Sequence, residues 1–283
     1  MSKIILMTGK TEFLNSEDGL KLFSRWYIPN DKPRAILIFI HGIGEHSGRY
    51  HSLIERFLKL DHAAMAFDHR GHGRSDGKRG HIPSMEMVLN DMDIFVEKVR
   101  HDFQDIPVIL YGHSLGGNFV LNYLTRRSQE TNCSIVTSPW LTLVKKVPGP
   151  VVSLMHFLNK LAPGLVLTST VKPKSISRDR QVIKAYENDP LTHKKISVRL
   201  FCEAHDTGTR ILRHPEKVTV PLLLMHAGAD LITDPNSSEQ FARGNPGQIQ
   251  FKLWPGLYHE IHNEERKDEV FQYAVEWLKK HLK

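Results

Sequence analysis

Five short, largely apolar runs in this chain show no alternation of apolar and polar residues. They lie at residues 35–40, 63–67, 107–111, 134–137 and 220–225. A strand with one face in water alternates between apolar and polar residues, whereas a strand of a parallel sheet is covered on both faces and does not. Helix-like amphipathic stretches separate the runs. The sequence therefore predicts an α/β protein with parallel strands joined by crossover helices.

Three further segments complete the predicted sheet. Residues 12–15 and 20–28 flank an Asp-Gly step, which is a hairpin signal and predicts an antiparallel edge. Residues 250–254 form the last predicted strand, and residues 267–280 close the chain as an amphipathic helix. Prolines interrupt this rhythm at residues 139–218, which we interpret as a helical cap inserted after the sixth strand. The rest forms one α/β domain, so residues 1–283 are a single domain that carries the cap.

Composition narrows the class of protein. Apolar residues make up 40% of the 283 residues and charged residues 24%, as in an ordinary globular protein. The net charge of +7 is spread among acidic residues, and no basic stripe interleaved with aromatic residues indicates nucleic-acid binding. Two cysteines are too few for a disulfide framework, and Cys133 is expected to be a buried free thiol. The apolar run at residues 4–7 is too short for a signal peptide or a membrane span, so we expect a cytoplasmic protein.

The hexapeptide Gly-His-Ser-Leu-Gly-Gly at residues 112–117 follows a predicted strand and opens a helical stretch. A serine on such a tight strand-to-helix turn has its hydroxyl pushed out over the edge of the sheet. Gly112 and Gly116 have a steric explanation, because a Cβ at either position would collide with neighbouring chain. The helix that follows directs its N-terminal amides toward developing negative charge. Ser114 is therefore predicted to be a nucleophile, the alternative being a purely structural turn.

A serine hydroxyl is a poor nucleophile at neutral pH and needs a base. After such a turn, the chain order is serine, acid and then histidine. His259 lies in a glycine-containing loop before the final helix and is the predicted base; its competitor His262 is expected to orient a neighbour or to face solvent. Asp230 ends a strand at a glycine turn and is the predicted acid, which fixes the imidazole tautomer. Asp234 is expected to cap the next helix, and Asp206 lies inside the insertion.

Stabilising an oxyanion requires hydrogen-bond donors as well. One predicted donor is the backbone amide of Leu115, directly after the nucleophile. The other comes from the loop after the strand at residues 35–40, and we choose the amide of Ile43. The alternative for this His-Gly loop is a simple turn.

The segment Asp-His-Arg-Gly-His-Gly-Arg-Ser at residues 68–75 resembles a metal or phosphate loop only superficially. It lacks the histidine spacing of a zinc site and the glycine pattern of a phosphate loop. We predict instead a structural loop braced by contacts of Asp68 and Arg70. No metal site is expected from the sequence.

With these residues placed, the chain resembles the monoacylglycerol lipase and lysophospholipase branch of the α/β-hydrolases, of the serine aminopeptidase S33 type. The segments that carry the resemblance are residues 41–50, 68–75, 112–117, 186–191 and 256–259. The resemblance runs from about residue 12 to the C-terminus. It implies the α/β-hydrolase fold, with a mostly parallel eight-stranded sheet flanked by helices, and the same triad and oxyanion amides. It also implies a mobile cap that rests on membrane and guides an acyl chain through an apolar tunnel. No cofactor is implied.

Residues and resemblance together predict a serine hydrolase that cleaves a lipid monoester, foremost monoacylglycerol to glycerol and free fatty acid. The alternatives are a lysophospholipase, a broad carboxylesterase or a thioesterase with the same triad, and, from another class, a non-catalytic ligand-binding member of the fold. Tyr186 is expected either to line the glycerol end of the pocket or to pack between cap and core. Leu141, Phe157 and Ile232 are further predicted substrate contacts. The oligomeric state stays open.

Thr233 distinguishes this chain from the mammalian monoglyceride enzyme, which has a cysteine at that position. Thiol-directed sensitivity is therefore not expected. In the cap, apolar residues between Val151 and Leu167 are expected either to insert shallowly into a lipid surface, beside Lys145, Lys146 and Lys160, or to cover the core and line the tunnel.

Overall fold

A computed structural model describes residues 9–127 and 131–282; the apolar run at residues 4–7 lies outside the described residues. The strands are β1 (Lys10–Asn15), β2 (Lys21–Tyr27), β3 (Ala35–Ile40), β4 (His62–Phe67), β5 (Val108–His113), β6 (Cys133–Thr137), β7 (Val166–Thr168), β8 (Lys195–Ser197), β9 (Leu222–Ala227) and β10 (Ile249–Trp254). The α-helices are α1 (His51–Leu58), α2 (Met85–Asp102), α3 (Leu115–Arg127), α4 (Gly149–Leu161), α5 (Arg180–Asn188), α6 (Val198–Leu212), α7 (Pro235–Arg243) and α8 (Lys267–His281).

Eight strands form one sheet in the order β1-β2-β4-β3-β5-β6-β9-β10. The strand β2 pairs antiparallel with both β1 and β4, and every other pair is parallel. The predicted mostly parallel, eight-stranded sheet with an antiparallel edge is therefore confirmed. The C-terminal ends of the parallel strands all lie at one edge of the sheet, because each crossover connection returns the chain to the opposite edge before the next strand begins.

The unbroken apolar strands separate two layers of core. On β3, Ile38 faces the layer that holds α2 and α3, while Phe39 faces the layer that holds α1 and α8. The Phe39 ring lies 6.2 Å from that of Phe57, and across the sheet Phe67 stacks on Phe95 at 4.2 Å. Each such buried side chain contributes about 1.5–3 kcal/mol relative to exposure. Alternating side chains thus cover both faces, which is why the sequence pattern does not alternate.

The insertion, defined here as residues 138–221, joins β6 to β9 and contains α4, α5, α6 and the small antiparallel pair β7–β8. Pro150 stands in the first turn of α4, where its missing N–H costs nothing. Met155 of α4 packs with Val198 and Cys202 of α6. The Asn118 amide in α3 donates to the carbonyl of Ala204 at 3.2 Å, which fastens the insertion to the helix behind the sheet. A helical insertion after the sixth strand is confirmed; the strands β7 and β8 and the helix α6 were not predicted.

The loop at residues 68–75 is braced as expected. The Asp68 carboxylate accepts hydrogen bonds from the backbone N–H groups of Ser47 at 2.7 Å and Arg74 at 2.8 Å. The Arg70 guanidinium donates to both carboxylate oxygens of Asp91, at 2.6 and 2.7 Å. These charge-assisted contacts are buried and mutually satisfied, so they fix the loop beside the edge of the sheet.

Both cysteines are free and buried, which confirms the expectation for Cys133. Burial raises the pKa of the Cys133 thiol to about 12, so it is inert at neutral pH. Asp234 caps α7 through a hydrogen bond from the backbone N–H of Asn236 at 3.0 Å, as predicted. Within the described ranges, no helix combines the length and apolar character needed to cross a membrane.

Candidate active site

Ser114 stands between the last residue of β5 and the first residue of α3 with a φ of +55°. Few non-glycine residues adopt this left-handed conformation, and those that do often belong to functional sites. Close packing enforces it. A Cβ on Gly116 would lie 2.1 Å from the carbonyl oxygen of Ile40, and one on Gly112 would lie 2.6 Å from Val120. The turn as it stands therefore leaves no room for a Cβ at either position.

Two other predicted residues meet Ser114 from different strand ends. The His259 Nε2 atom lies 2.9 Å from the Ser114 Oγ atom, and the His259 Nδ1 atom lies 2.7 Å from the Asp230 Oδ2 atom. Asp230 follows the turn after β9, and His259 follows β10. All three residues are buried, with at most 6% of their surface exposed. The structure thus joins residues separated by as many as 145 positions in the chain.

The charge balance of this pair favours an ionised carboxylate beside a basic imidazole. Burial alone would raise the pKa of Asp230, but His259 and His226 outweigh it and hold the pKa well below its ordinary range. For His259, burial alone would lower the pKa, but the Asp230 carboxylate more than reverses this and raises it. An imidazole whose pKa is raised in this way accepts a proton more readily, as a general base requires.

His262, the alternative to His259, does not reach Ser114. Its ring is buried, stacks on Tyr50 at 5.3 Å and meets the edge of His113 at 5.0 Å. Burial lowers its pKa to about 4. It packs beneath the loop of His259 and does not face solvent.

Two residues near Asp230 were not singled out as part of the site. The Thr233 hydroxyl donates to the Asp230 Oδ2 atom at 3.0 Å, and its backbone N–H donates to the Oδ1 atom at 3.1 Å. The His226 Nε2 atom lies 3.3 Å from the same Oδ2 atom, and its Nδ1 atom lies 2.8 Å from the Ser238 hydroxyl. The acid is therefore held from several sides. The available signal was a single histidine inside the otherwise apolar strand β9.

The predicted oxyanion loop lies against Ser114. A Cβ on Gly42 would lie 3.2 Å from the Ser114 Cβ, and Ile43 lines the same cavity as Ser114. The backbone N–H of Gly42 donates to Glu45 at 2.6 Å and is occupied by that contact. Leu115 is the first residue of α3, so its amide stands at the positive end of a helix dipole. The backbone amide of Ile43, which follows Gly42, and that of Leu115, which follows Ser114, remain the predicted donors to the oxyanion.

A buried charge cluster adjoins the loop of His259. The Arg49 guanidinium contacts Glu45 at 2.5 Å and both carboxylate oxygens of Glu260 at 2.6 and 2.8 Å. Burial alone would lower the pKa of Arg49 and raise that of Glu260, but their mutual attraction reverses both, so both are charged. Because Glu45 holds Gly42 and Glu260 follows His259 directly, this cluster ties the predicted oxyanion loop to the loop of His259.

A cavity of about 810 Å³ opens above Ser114. Such a volume suits a small-molecule ligand. Its apolar lining comes from both the insertion and the main domain, and includes Trp140, Leu143, Val151, Met155, Leu167, Ile176, Phe201 and Ile232. Its charged lining residues are Glu45, Arg49 and Glu260 of the main domain and Lys145, Lys146 and Lys172 of the insertion.

The predicted substrate contacts divide into two pairs. Tyr186 and Ile232 line the cavity. The Tyr186 ring also packs against the Arg49 guanidinium at 4.8 Å, so it stands between the insertion and the main domain, while contact with the glycerol end of a substrate stays a prediction. Leu141 and Phe157 are not among the described residues that line the cavity. Leu141 is buried in the core behind it, and Phe157 is 59% exposed on the outside of α4.

This fold and this site define the class of the protein. A serine on a strand-to-helix turn, hydrogen-bonded to a histidine that is in turn paired with an aspartate, at the C-terminal edge of a mostly parallel sheet, is the arrangement of the α/β-hydrolases.

Comparisons with known proteins give the family. Residues 31–266 match the model of the family described as serine aminopeptidase, S33, so the chain belongs to that family. An uncharacterised abhydrolase domain-containing protein of Dictyostelium discoideum is 37% identical over 279 residues, which are 98% of this chain but only 30% of that protein. The monoacylglycerol lipase of Mycolicibacterium smegmatis is 31% identical over 274 residues, covering 93% of this chain and 95% of that enzyme.

A solved structure agrees with these relatives. The monoacylglycerol lipase of Paleococcus ferrophilus superposes with a TM-score of 0.84 at 34% identity, covering 92% of this chain and 99% of that one. The chain is therefore a carboxylic ester hydrolase of the α/β-hydrolase fold.

Proposed function

We propose that Ser114 is the nucleophile, His259 the general base and Asp230 the residue that orients and stabilises the imidazolium. The observation that carries this proposal is the chain of two contacts, 2.9 Å from Ser114 to His259 and 2.7 Å from His259 to Asp230, beneath the large cavity. Asp230 stays ionised throughout, since its pKa lies far below neutral pH. The backbone amides of Ile43 and Leu115 receive the oxyanion.

The reaction then proceeds in two acyl transfers. His259 takes the proton of Ser114 as its oxygen attacks the ester carbonyl, and the carbonyl oxygen becomes an oxyanion held by the two amides. The intermediate collapses when His259 returns the proton to the departing alcohol, leaving an acyl-enzyme. Water, deprotonated by His259, attacks the acyl-enzyme, and the proton passes back to Ser114 as the carboxylic acid leaves.

We propose a lipid monoester, foremost a monoacylglycerol, as the substrate. The cavity supports this choice because its lining is mainly apolar but also includes charged side chains, among them Arg49 and Glu260 of the main domain and Lys172 of the insertion. An acyl chain with a glycerol end requires both kinds of surface. Monoacylglycerol lipases are among its relatives with closely matching lengths. A lysophospholipase, a broad carboxylesterase or a thioesterase would use the same triad. Rates on glyceryl monoesters, lysophospholipids, acyl thioesters and short nitrophenyl esters separate these alternatives.

Replacing the nucleophile tests the chemistry. We expect Ser114→Ala to lose nearly all hydrolysis of monoacylglycerol and all labelling by a fluorophosphonate probe, since no oxygen remains for acylation. Ser52→Ala, which changes an exposed serine of α1, is the matched control and should keep both. More than a few per cent of activity in Ser114→Ala would contradict the assignment. Absence of labelling in the wild type would instead favour a non-catalytic ligand-binding role.

We also propose that residues 139–218 act as a cap that makes peripheral contact with a lipid surface, in a protein located in the cytoplasm. Val151, Leu154, Phe157 and Leu161 of α4 are 44–68% exposed, which is unusual for large apolar side chains on one helix. Covering the core does not account for this exposure. A helix face of this kind, with lysines nearby, suits the boundary of an anionic bilayer.

The cap proposal is tested by co-sedimentation with anionic liposomes. Phe157→Ser/Leu161→Ser should bind several-fold less than the wild type, because two exposed apolar anchors are removed. Phe13→Ser/Leu253→Ser removes two exposed apolar side chains outside the insertion and should bind as the wild type does. Equal binding by all three proteins would reject insertion of the cap.

A further inference from the structure

Three potential metal ligands meet on the surface of the insertion, outside the triad and the cavity lining. His156 comes from α4, and His205 and Asp206 come from α6. One ligand atom from each lies within 4.8 Å of the other two. The Asp206 Oδ1 atom lies 3.3 Å from the His156 Nε2 atom and 3.1 Å from the His205 Nδ1 atom. Solvent reaches all three side chains.

These separations fit a transition-metal ion. Zinc bound to imidazole nitrogen and carboxylate oxygen has bonds of about 2.0–2.2 Å, which place tetrahedral ligand atoms about 3.3–3.6 Å apart. The two separations from the Asp206 Oδ1 atom, 3.3 and 3.1 Å, are close to this range. Two imidazoles disfavour calcium and magnesium, which prefer all-oxygen ligands. We propose that His156, His205 and Asp206 bind a zinc ion, or a divalent transition metal of similar preference, that bridges α4 and α6. Water would occupy the remaining position.

The surroundings hold the ligands in place. Met155, the neighbour of His156, is buried against Val198 and Cys202, so the two helices are already packed together at this level. The His205 ring stacks on Phe201 with centroids 5.8 Å apart and planes at 24°. This contact restrains the ring, and a restrained ligand loses less conformational freedom when it binds a metal. The ion would therefore add a link between helices whose packing brings the ligands together in advance.

A second pair of adjacent histidine and aspartate residues on the surface provides a comparison for the proposed zinc site. On α2, His101 lies 3.0 Å from Asp102, and the two are adjacent in sequence just as His205 and Asp206 are. Among the residues that the structure describes, no second histidine from a neighbouring helix joins that pair to form a three-ligand group. His156 is therefore the residue that distinguishes the cluster from an ordinary surface contact between histidine and aspartate.

The bridge would bear on access to the cavity. Val151 and Met155 of α4 and Phe201 of α6 line the cavity, so the two bridged helices form part of its wall. A metal that links them would hinder their separation and slow entry of long acyl chains. This consequence rests on the proposed cap function; metal binding itself does not, and the ion takes no part in the acyl transfers.

Calorimetric titration with ZnCl₂ tests the site on full-length, tag-free protein treated with EDTA. We expect one high-affinity zinc ion per chain in the wild type. Affinity should fall at least about tenfold in His156→Ala and in His205→Ala, since loss of a direct ligand costs no less than loss of a supporting residue. His101→Ala should bind as the wild type does. No high-affinity zinc binding in the wild type, unchanged affinity in His156→Ala, or an equal loss in His101→Ala would overturn the proposal.

Two further measurements separate the possible reasons for a failure. Zinc should raise the thermal midpoint of the wild type and not that of His156→Ala, while the metal-free midpoints stay equal, which shows that the variant is folded. Equal zinc-induced shifts in both proteins would overturn the proposal. Ser114→Ala should bind zinc with wild-type affinity, because no substrate is involved. Zinc binding in an inactive enzyme thus tests the site independently of the proposed hydrolysis.

Discussion

Arg49 forms ion pairs with two buried carboxylates, those of Glu45 and Glu260. Among the described residues, no other cationic side chain forms an ion pair with either of them. Removing Arg49 therefore tests the electrostatics of the site directly. The guanidinium contacts them at 2.5 and 2.6 Å, and all three side chains are at most 10% exposed. Arg49→Met keeps an unbranched apolar stem but deletes the charge. Both carboxylates would then remain buried without their cation. Removing one partner of a buried ion pair costs about 3–5 kcal/mol.

A loss of about 3–5 kcal/mol is a large share of the 5–15 kcal/mol that typically stabilises a domain. Urea denaturation followed by circular dichroism at pH 7.5 measures it, with the midpoint falling and the slope unchanged. Arg266→Met is the matched control. Arg266 holds Glu269 through two hydrogen bonds, of 2.8 and 2.6 Å, but both side chains are exposed. Its midpoint should stay at the wild-type value.

The pH dependence of the Arg49→Met effect has a definite sign. Arg49 lowers the pKa of Glu260 in the folded state, so the pair stabilises the protein fully above the ordinary glutamate pKa and less as pH falls through the lowered one. Without Arg49, burial becomes the largest influence on the pKa of Glu260, opposed only by the weaker effects of His262 and His113. The pKa should then rise, so that the variant loses stability as pH rises. The difference between the two proteins should therefore be largest near pH 7.5 and narrow toward pH 5. Equal midpoints for Arg49→Met and wild type at pH 7.5 would refute the reasoning.

Three other changes probe the site and the turn that presents it. Asp230→Asn should lower kcat about 10⁴-fold with little change in fold, since the asparagine no longer stabilises the imidazolium or its tautomer. Steady-state kinetics and circular dichroism check this, and a loss of kcat below tenfold would contradict it. The pKa of His259 is raised above 6.5, and the neutral imidazole is the form that acts as a base. We therefore expect kcat/KM to decline toward acid pH around a midpoint above 6.5. A midpoint well below 6.5 would count against His259 as the base. Gly116→Ala should leave little soluble, active protein, because its Cβ would lie 2.1 Å from the Ile40 carbonyl oxygen and 2.5 Å from that of His41, and normal expression and melting would show that the turn can relax.

The sheet could be predicted because its strands are buried on both faces and so have unbroken apolar sequences. The three residues Ser114, Asp230 and His259 could be chosen because each follows a predicted strand, and parallel strands end at one edge. The strands β7 and β8 have only three residues each, too few to show any periodicity. Their pairing depends on contacts across the insertion, which a local pattern does not contain.

The parts of the site that were not predicted depend on contacts between distant residues. Arg49 contacts Glu260, which lies 211 positions further along the chain, and no sequence motif includes both residues. His226 lies within the apolar strand β9, where only the structure reveals that its ring reaches Asp230. Phe157 is apolar in a predicted helix, and nothing local decides whether it faces the cavity or solvent. Its exposure follows from how α4 packs on α6.

The insertion leaves the sheet from β6 and returns to it at β9, and these strands are direct neighbours, with Thr137 paired to Met225. Its two ends therefore lie side by side, as the ends of a surface loop do. A segment attached in this way can lengthen, shorten or be exchanged for another while the strands that carry Ser114 and Asp230 keep their register. Changes in the insertion can thus alter the lining of the cavity without moving the contact between Ser114, His259 and Asp230, and a different insertion can be grafted at the same two points.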